Sequence, residues 1–555
     1  MANTYYVRSG GDDTANGLSI QQAWQSLERV NQQDFQPGDT ILLAAGAVFN
    51  GNLTFEADRS GTLAAPLTLS SYGEGRATIW ADSTTGILVY NTAGIRLENV
   101  EVVGNGRDQN DGHGIIFYLD RTLDTHLEGV WLNDIRVRGF NRGGITFYAN
   151  DSAEVGFSHI RIQHIESYEN GDHGIGIGGK VRESGHVHRD IKIRDCIARD
   201  NPGQIGKTWS HTGNGIVVGN SEEVLIEYCQ AYRNGRESFN NAGGPVGIWL
   251  WDTRAGTIQH CESHHNDTGS TKDGGGFDLD GGCQDCTIQY CYAHDNAGPG
   301  YLFAEYNGAR PLRRCQLRFN ISENDGRKHG HGALVIWKGQ GALDSLDIYH
   351  NTFYCSDPAR QALPVVWITS SGLADIRIFN NVIMAADNCL LMESYAPVHE
   401  VSFTGNAYHS EAPFEVRMAG QSYVSLAAWQ GMTGAETWQN QPQGLNIPLL
   451  LHAPGQGGTL GDPYRIPDLT GYRPLTESPL REAAWMGHNI DPGMQDVLGQ
   501  SLPTSALDIG AVQYAEGLSL HLKSRDSLRL IKEGNRYRVR LPDNRPTRGK
   551  VQLVD

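Results

Sequence analysis

Between Val100 and Asn381 one pattern returns at intervals of 29 to 35 residues, about 31 on average, and a chain built this way is restricted to stacked repeats. The segments IRDCIARDN, IEYCQAYRN, IQHCESHHN and IQYCYAHDN put Cys196, Cys229, Cys261 and Cys291 at one position of the frame. Val100, Ile135 and Ile165 continue that column backwards, and Asn320, Asn351 and Asn381 continue it forwards. Two residues after it stand small side chains, Ser167, Ala198, Ala231, Ser263, Ala293 and Ser322, as expected where another layer packs closely. Five residues after it stand Asn105, Asn170, Asn201, Asn234, Asn266 and Asn296. Asn tolerates left-handed turn dihedrals and can bond to its copy in the next repeat, so this column predicts an Asn ladder.

Each repeat also carries a Gly-led strand, as in GHGIIFY, GGITFY, HGIGIGG, NGIVVG, VGIWLW, GGFDLD, PGYLFAEY and HGALVIW. Two short strands per repeat, with no amphipathic helix between them, exclude helical and leucine-rich repeats. The expectation is an all-β chain, a right-handed parallel β-helix of about 10–11 coils stacked at about 4.8 Å. Open ends need covers. SIQQAWQSLERVNQ (19–32) predicts a capping helix at the N-terminal end, with Ile20, Trp24, Leu27 and Val30 on its inner stripe. SLAAWQGMTGAETW (425–438) predicts a second helix. The expected organisation is residues 1–410 as capped β-helix, 411–515 as C-terminal helix, loops and closing segment, and 516–555 as a small basic tail with strand-like LSLHLK and RYRVRLP.

With 68 Gly and 39 % hydrophobic residues in 555, the chain can bury a large core, so disorder is excluded as its main state. A net charge of −18 argues against a nucleic-acid partner, although residues 516–555 carry ten Lys/Arg against five Asp/Glu. No apolar run reaches the length of a membrane span, and no membrane partner is expected. The opening residues have neither a charged n-region nor an apolar h-region, so a secreted or periplasmic location is expected with the signal peptide absent from this sequence.

TYYVRSGGDDTANGLSIQQAWQSL at the start, GTLAAPLTLSSYGEGRATI, the coil motif, and the closing Asp496-x-x-Gly499 with DIGAVQY (508–514) carry a resemblance. Over most of residues 4–515 the chain resembles bacterial right-handed β-helix enzymes of the pectate-lyase-like superfamily. That group holds polysaccharide lyases, glycoside hydrolases and epimerases, so the resemblance implies a carbohydrate polymer more firmly than a reaction.

Alternation along the Gly-led strands gives an apolar inner set, from Ile115/Phe117 through Ile248/Leu250 to Tyr301/Phe303. The outer set differs in kind. It runs Ile116/Tyr118, Thr146/Tyr148, Gly176/Gly178, Val217/Gly219, Trp249/Trp251, Asp278/Asp280 and Leu302/Ala304. Flat aromatic faces stack on sugar rings, which makes Trp249, Trp251 and Tyr148 the expected substrate platform unless a long loop covers them. Asp278 and Asp280 both point outward about 7 Å apart, close enough for one pKa to rise and supply a proton donor beside an ionised carboxylate. Asp252 and Glu305 occupy equivalent corners two coils apart, near the carboxylate separation of inverting glycosidases. The catalytic candidates are therefore Asp278, Asp280, Glu305 and Asp252.

A β-eliminating lyase would need a Lys or Arg base, for which Lys272, Lys338, Arg327 and Lys328 are available. No cofactor is required for hydrolysis. Ca²⁺ could be held by Asp273, Asp278 and Asp280, although no repeated Ca²⁺-binding spacing is present. His331, in a His-Gly-His-Gly run, is similar to the Gly-His-Gly element of polygalacturonase-type hydrolases, but the Asn-Thr-Asp and Arg-Ile-Lys elements are missing. His331 and Lys338 join the substrate-binding candidates. His113, His173 and His331 all precede a Gly-led strand, which is equally a turn position. His264 and His294 stack beside Tyr232, away from the cleft. Four Cys fill a core column, and Cys283 and Cys286 form a lone CxxC that fits a local disulfide better than zinc. The expected function is an extracellular polysaccharide-degrading glycoside hydrolase. A lyase on a uronate polymer and a non-catalytic carbohydrate-binding rod are the alternatives.

Overall fold

The computed structural model describes residues 2–514 apart from 58, 151–152, 183, 242, 357–361 and 488–492, together with 515, 529–533 and 536–540. Residues 1–514 form one compact unit and 515–555 a second. In the second, Arg529–Glu533 and Arg536–Arg540 pair antiparallel, while the strand expected at LSLHLK (518–523) falls outside the described residues.

The first unit is a parallel β-helix. One inward column shows the stacking: Tyr5, Ile41, Leu69, Leu97, Leu132, Ile162, Ile193 and Ile226 lie in register. Ile258, Ile288, Leu317, Ile348, Ile378 and Phe403 continue it. All of these are buried. The stack begins earlier than the Cys and Asn motif does, since Tyr5, Ile41 and Leu69 add coils without it. The inner pairs of the Gly-led strands, such as Ile115/Phe117 and Ile248/Leu250, are sealed in this core as alternation requires.

Two polar columns run through the interior. Asn170, Asn201, Asn234, Asn266 and Asn296 each donate Nδ2–H to the Oδ1 of the next, at 2.9–3.2 Å. Each Oδ1 also takes the backbone N–H of the preceding Asn. Asp325 ends the column, accepting from Asn296 at 2.8 Å. Asn105 stands outside this ladder, because its Nδ2 turns to Asp82 instead. The continuation of the Cys column is a second ladder, Asn320, Asn351, Asn381 and Asn406, closed by Glu436.

The helical expectations shrink. Within 19–32 only Ile20–Gln22 (3₁₀) and Leu27–Asn31 (α) are helical. The backbone of Trp24 is drawn into the first coil instead, donating N–H to Tyr6 O at 2.9 Å and accepting from Arg8 N at 2.9 Å. Ile20 is consequently exposed, while Trp24, Leu27 and Val30 are buried over the first coil. The second helix is Leu426–Thr433, because Gly434 takes φ +77° and donates its N–H to Gln430 O, stopping the helix. The closing segment is held by Asp496, whose carboxylate accepts from the N–H groups of Leu498, Gln500 and Gln513. Cys283 and Cys286 are free buried thiols rather than a disulfide, each serving as a small apolar filler between coils.

Asn234→Ala leaves the Asn201 amide without its acceptor and takes a donor from Asn266 Oδ1 and the Ala198 carbonyl, and we expect unfolding free energy to fall by about 2–4 kcal/mol. Denaturant titration checks this. Burial lifts the Asp325 carboxyl to about 7, against the lowering bonds from Ser322 and Asn296. The folded chain thus holds this proton more tightly than the unfolded chain, whose carboxyl keeps a value near 3.8. Its contribution is complete below that value and is lost as pH rises through about 7. Asp325→Asn keeps the ladder without the charge, so it should melt above the wild type at alkaline pH and converge with it toward pH 4. An offset independent of pH would contradict this.

Candidate active-site cleft

The outer face of the Gly-led sheet, the loop 202–213 and the residues Asn240 and Gly243 line a cleft of about 790 Å³. Its floor comes from Ile145–Ala149, His173–Gly179 and the first residues of Asn214–Glu227 and Val246–Gln259. Parallel pairing sets the outer columns: Thr146 lies beside Gly176, Gly176 beside Val217, Val217 beside Trp249 and Trp249 beside Asp278. The glycines make room for large neighbours. A Cβ on Gly219 would lie 1.9 Å from the Trp251 indole, and one on Gly176 would lie 2.5 Å from the His173 imidazole. Trp251 therefore lies flat across Gly219 toward Gly178 and lines the cleft.

Tyr148 is 40 % exposed, stacked on Tyr118, which stacks on Tyr90. This ladder presents one aromatic face at the cleft wall. Trp249 differs from the expected platform. It is 4 % exposed, its edge is packed by His211 from the covering loop, and its Nε1–H bonds to Asn214 Oδ1 at 3.2 Å. Its work is to hold the loop. The exposed aromatic that sequence reasoning missed is Trp209, on the same loop and 76 % exposed at the cleft lining. The TWSH run in a polar, glycine-rich segment was the available signal.

Four further titratable groups line the cleft without having been anticipated: Asp172, Lys207, His211 and Tyr306. Lys207 is clamped between both oxygens of Asp172 at 3.0 Å. His113, Thr146 and His173 form a chain, each histidine nitrogen 2.9 Å from the Thr146 hydroxyl. Burial drives the His113 and His173 pKa values down to about 3 and about 4, so both rings are neutral at physiological pH. The two turn-position histidines of this end thus support the floor.

The four expected acids have different surroundings. Asp280 lines the cleft. Its Oδ1 accepts the N–H of Gly281 at 2.7 Å, yet burial and the charges of Asp273 and Glu305 lift its pKa to about 7. Asp278, 3 % exposed, sits behind the lining with an Oδ1 that has no hydrogen-bond partner. Burial, Asp280 and Asp273 push its carboxyl well above the usual range. Asp273 is the third member of this group, raised by burial against the lowering N–H of Gly244. Asp252 departs from an acid–base role: it is buried, bound by Asn220 Nδ2 at 2.7 Å and paired with Arg310 at 2.6 Å, which fixes it as a corner anchor. Glu305 is sealed, accepts the Gly341 N–H, and bears on the cleft through its field at Asp280.

His331 and Lys338 do not line the cleft. His331 stacks on Trp367, and Lys338 lies in register beside Glu305 with its Nζ near Gly339 O. Of the basic candidates, Arg327 pairs with Asp295 and Lys328 with Asp267, while Lys272 is exposed and also outside the cleft lining.

We expect Trp209→Ala to leave the melting temperature unchanged and to weaken binding of an oligosaccharide ligand by about tenfold, read by calorimetry. Trp249→Ala should instead destabilise the fold by about 3–5 kcal/mol.

Residues 126–320 match the family model described as the right handed beta helix region. Among curated proteins, the chain is 24 % identical over 489 residues to the lacto-N-biosidase of Bifidobacterium longum subsp. longum. That alignment covers 71 % of this chain and 29 % of the relative, so the chain spans less than a third of the curated protein it matches. Among solved structures it is similar to the GH136 lacto-N-biosidase from Eubacterium ramulus, with 17 % identity, 80 % of this chain and 67 % of that one covered, and a TM-score of 0.47. A pectate lyase aligns with 14 % identity over 93 % of this chain and 97 % of its own, at a TM-score of 0.38. Register, core and family model agree on the architecture: this chain is a right-handed parallel β-helix.

Proposed function

We propose that the chain is a glycoside hydrolase whose oligosaccharide or polysaccharide substrate lies in the cleft between Tyr148 and Asp280. The observation that carries this reading is a carboxyl of raised pKa at an aromatic-walled cleft, backed by buried Asp278 and partly buried Asp273, whose carboxyls are raised as well. The sequence similarity to lacto-N-biosidase over 71 % of the chain supports the same class. Degradation of an extracellular polymer, and with it a secreted or periplasmic location, are part of the proposal.

Glycoside hydrolysis needs one carboxylic acid to protonate the departing oxygen and one carboxylate to act at the anomeric carbon, directly or through water. Asp280 suits the first role, because it reaches the cleft and stays protonated to about pH 7. Asp278 and Asp273 share its field, so the group does not ionise all at once, and the proton lost first leaves a carboxylate beside a remaining acid. Trp251, Tyr148 and Trp209 offer stacking faces to the sugar rings. Lys207, the one ammonium in the cleft lining among the described residues, is paired with Asp172, which disfavours proton abstraction from a uronate. Hydrolysis through these carboxyls calls for no metal, and added Ca²⁺ should leave the rate unchanged.

Asp280→Asn should lower kcat by about 10²–10⁴-fold with the fold intact, measured as new reducing ends on a panel of oligosaccharides. The wild-type rate should fall as pH rises through about 7, where Asp280 gives up its proton. Full activity in both Asp278→Asn and Asp280→Asn would overturn the assignment. An ultraviolet-absorbing product would make the chain a lyase, and binding without new reducing ends would make it a carbohydrate-binding rod.

A further inference from the structure

Away from the cleft, the strands Glu262–His264 and Tyr292–His294 lie side by side, with His264 in register with His294. The next residue of each, His265 and Asp295, takes a left-handed backbone conformation at φ +52°. The chain turns alike at both, and the N–H of His265 bonds to His294 O. Adjacent coils thereby bring His264, His265, His294 and Asp295 together at one turn. None of the four lines the cleft.

Their nitrogens converge. Nδ1 of His264 lies 2.9 Å from Nδ1 of His265, and the three imidazoles bring one nitrogen each within 4.8 Å of one another. Asp295 points Oδ2 at Nδ1 of His294, 3.0 Å away, while its Oδ1 is occupied by Arg327. The rings cannot easily swing away. His264 is stacked between Tyr232 and His294 at centroid distances of 4.9 and 4.6 Å, and Tyr292 covers His294 at 4.7 Å.

Behind this group sits a buried carboxylate. Glu262 Oε1 lies 3.3 Å from Nε2 of His294 and also accepts the N–H of Leu460, and Oε2 takes the Gln230 amide. Both ring nitrogens of His294 face carboxylates, Nδ1 that of Asp295 and Nε2 that of Glu262, so each carries hydrogen here; a metal ion would displace the Nδ1 proton while the Nε2–H bond to Glu262 keeps the ring oriented. Metal-binding histidines are oriented by that second bond.

We propose that His264, His265, His294 and Asp295 bind one divalent transition-metal ion of borderline softness, of which Zn²⁺ is the representative. Three imidazoles and one carboxylate suit such an ion and not Ca²⁺ or Mg²⁺, which favour all-oxygen shells. The ion would bolt two adjacent coils together on the face remote from the cleft, so its role is in stability and not in the proposed hydrolysis.

Tag-free full-length protein, stripped with chelator and dialysed, is titrated with Co²⁺ and followed by visible absorption. Expected are one Co²⁺ per chain, its displacement by Zn²⁺, and a melting temperature that rises with either ion. His265 is exposed, so His265→Ala should fold and bind Co²⁺ at least about tenfold more weakly, with the metal-induced rise in melting temperature lost. Asp295→Asn serves as the second variant and should also weaken binding. No Co²⁺ spectrum in the wild type, or unchanged affinity in both variants, overturns the proposal. The glycosidase reading stands or falls separately, because the rate of Asp280→Asn does not depend on this site.

Discussion

A buried carboxamide must find both a donor and an acceptor, and inside this rod the neighbouring supply is the same group one coil away. Asn201 satisfies Asn170 and is satisfied by Asn234, so each coil is held to the next by a contact that a one-residue slip would orphan. The apolar columns alone would tolerate sliding between equivalent Ile and Leu positions. The ladders do not. Everything on the outer face inherits this registration, including the placement of Trp249 beside Asp278 and the room that Gly219 leaves for Trp251.

How much of this was readable from the chain depended on whether the cause was local or repeated. The inner pairs, the first ladder from Asn170 to Asn296 and the outward position of Asp278 and Asp280 follow from period and alternation, and the structure has them there, whereas Asn105 of the same column turns to Asp82. The second ladder was visible as Asn320, Asn351 and Asn381, but only as a continuation of the Cys column, because the exchange of a thiol for an amide at one frame position hides the change from apolar filling to hydrogen bonding. The helix expected over 19–32 failed at Trp24, where strand-like bonds to Tyr6 and Arg8 outweighed an amphipathic stripe. Loop-borne groups such as Trp209, His211 and Lys207 have no period, so their arrival over the floor rests on contacts that no spacing announces.

Identical chemistry met different fates on this face. Asp252, Asp280 and Glu305 belong to neighbouring coils at the end of the Gly-led strand. One is neutralised by Arg310, one faces the cleft with only a backbone N–H for company, and one is sealed beneath Gly341. The middle one combines access with a raised pKa, and Glu305 supplies part of the field that raises it. The chain's charge of −18 is a poor guide to such a site, since what matters is which carboxylates are left without cations.

The ladders are also polar objects. In each, every amide turns its oxygen toward the N-terminal coils and its NH₂ toward the C-terminal ones, so the bond dipoles add along the rod as peptide dipoles do along a helix. At the oxygen end of the first, Asn170 receives the backbone N–H of Phe140. At the NH₂ end both ladders meet an acid, Asp325 in one and Glu436 in the other. A rod with no long helix among its described residues thus has a direction built into its core, and a carboxyl terminates each line where partial positive charge accumulates.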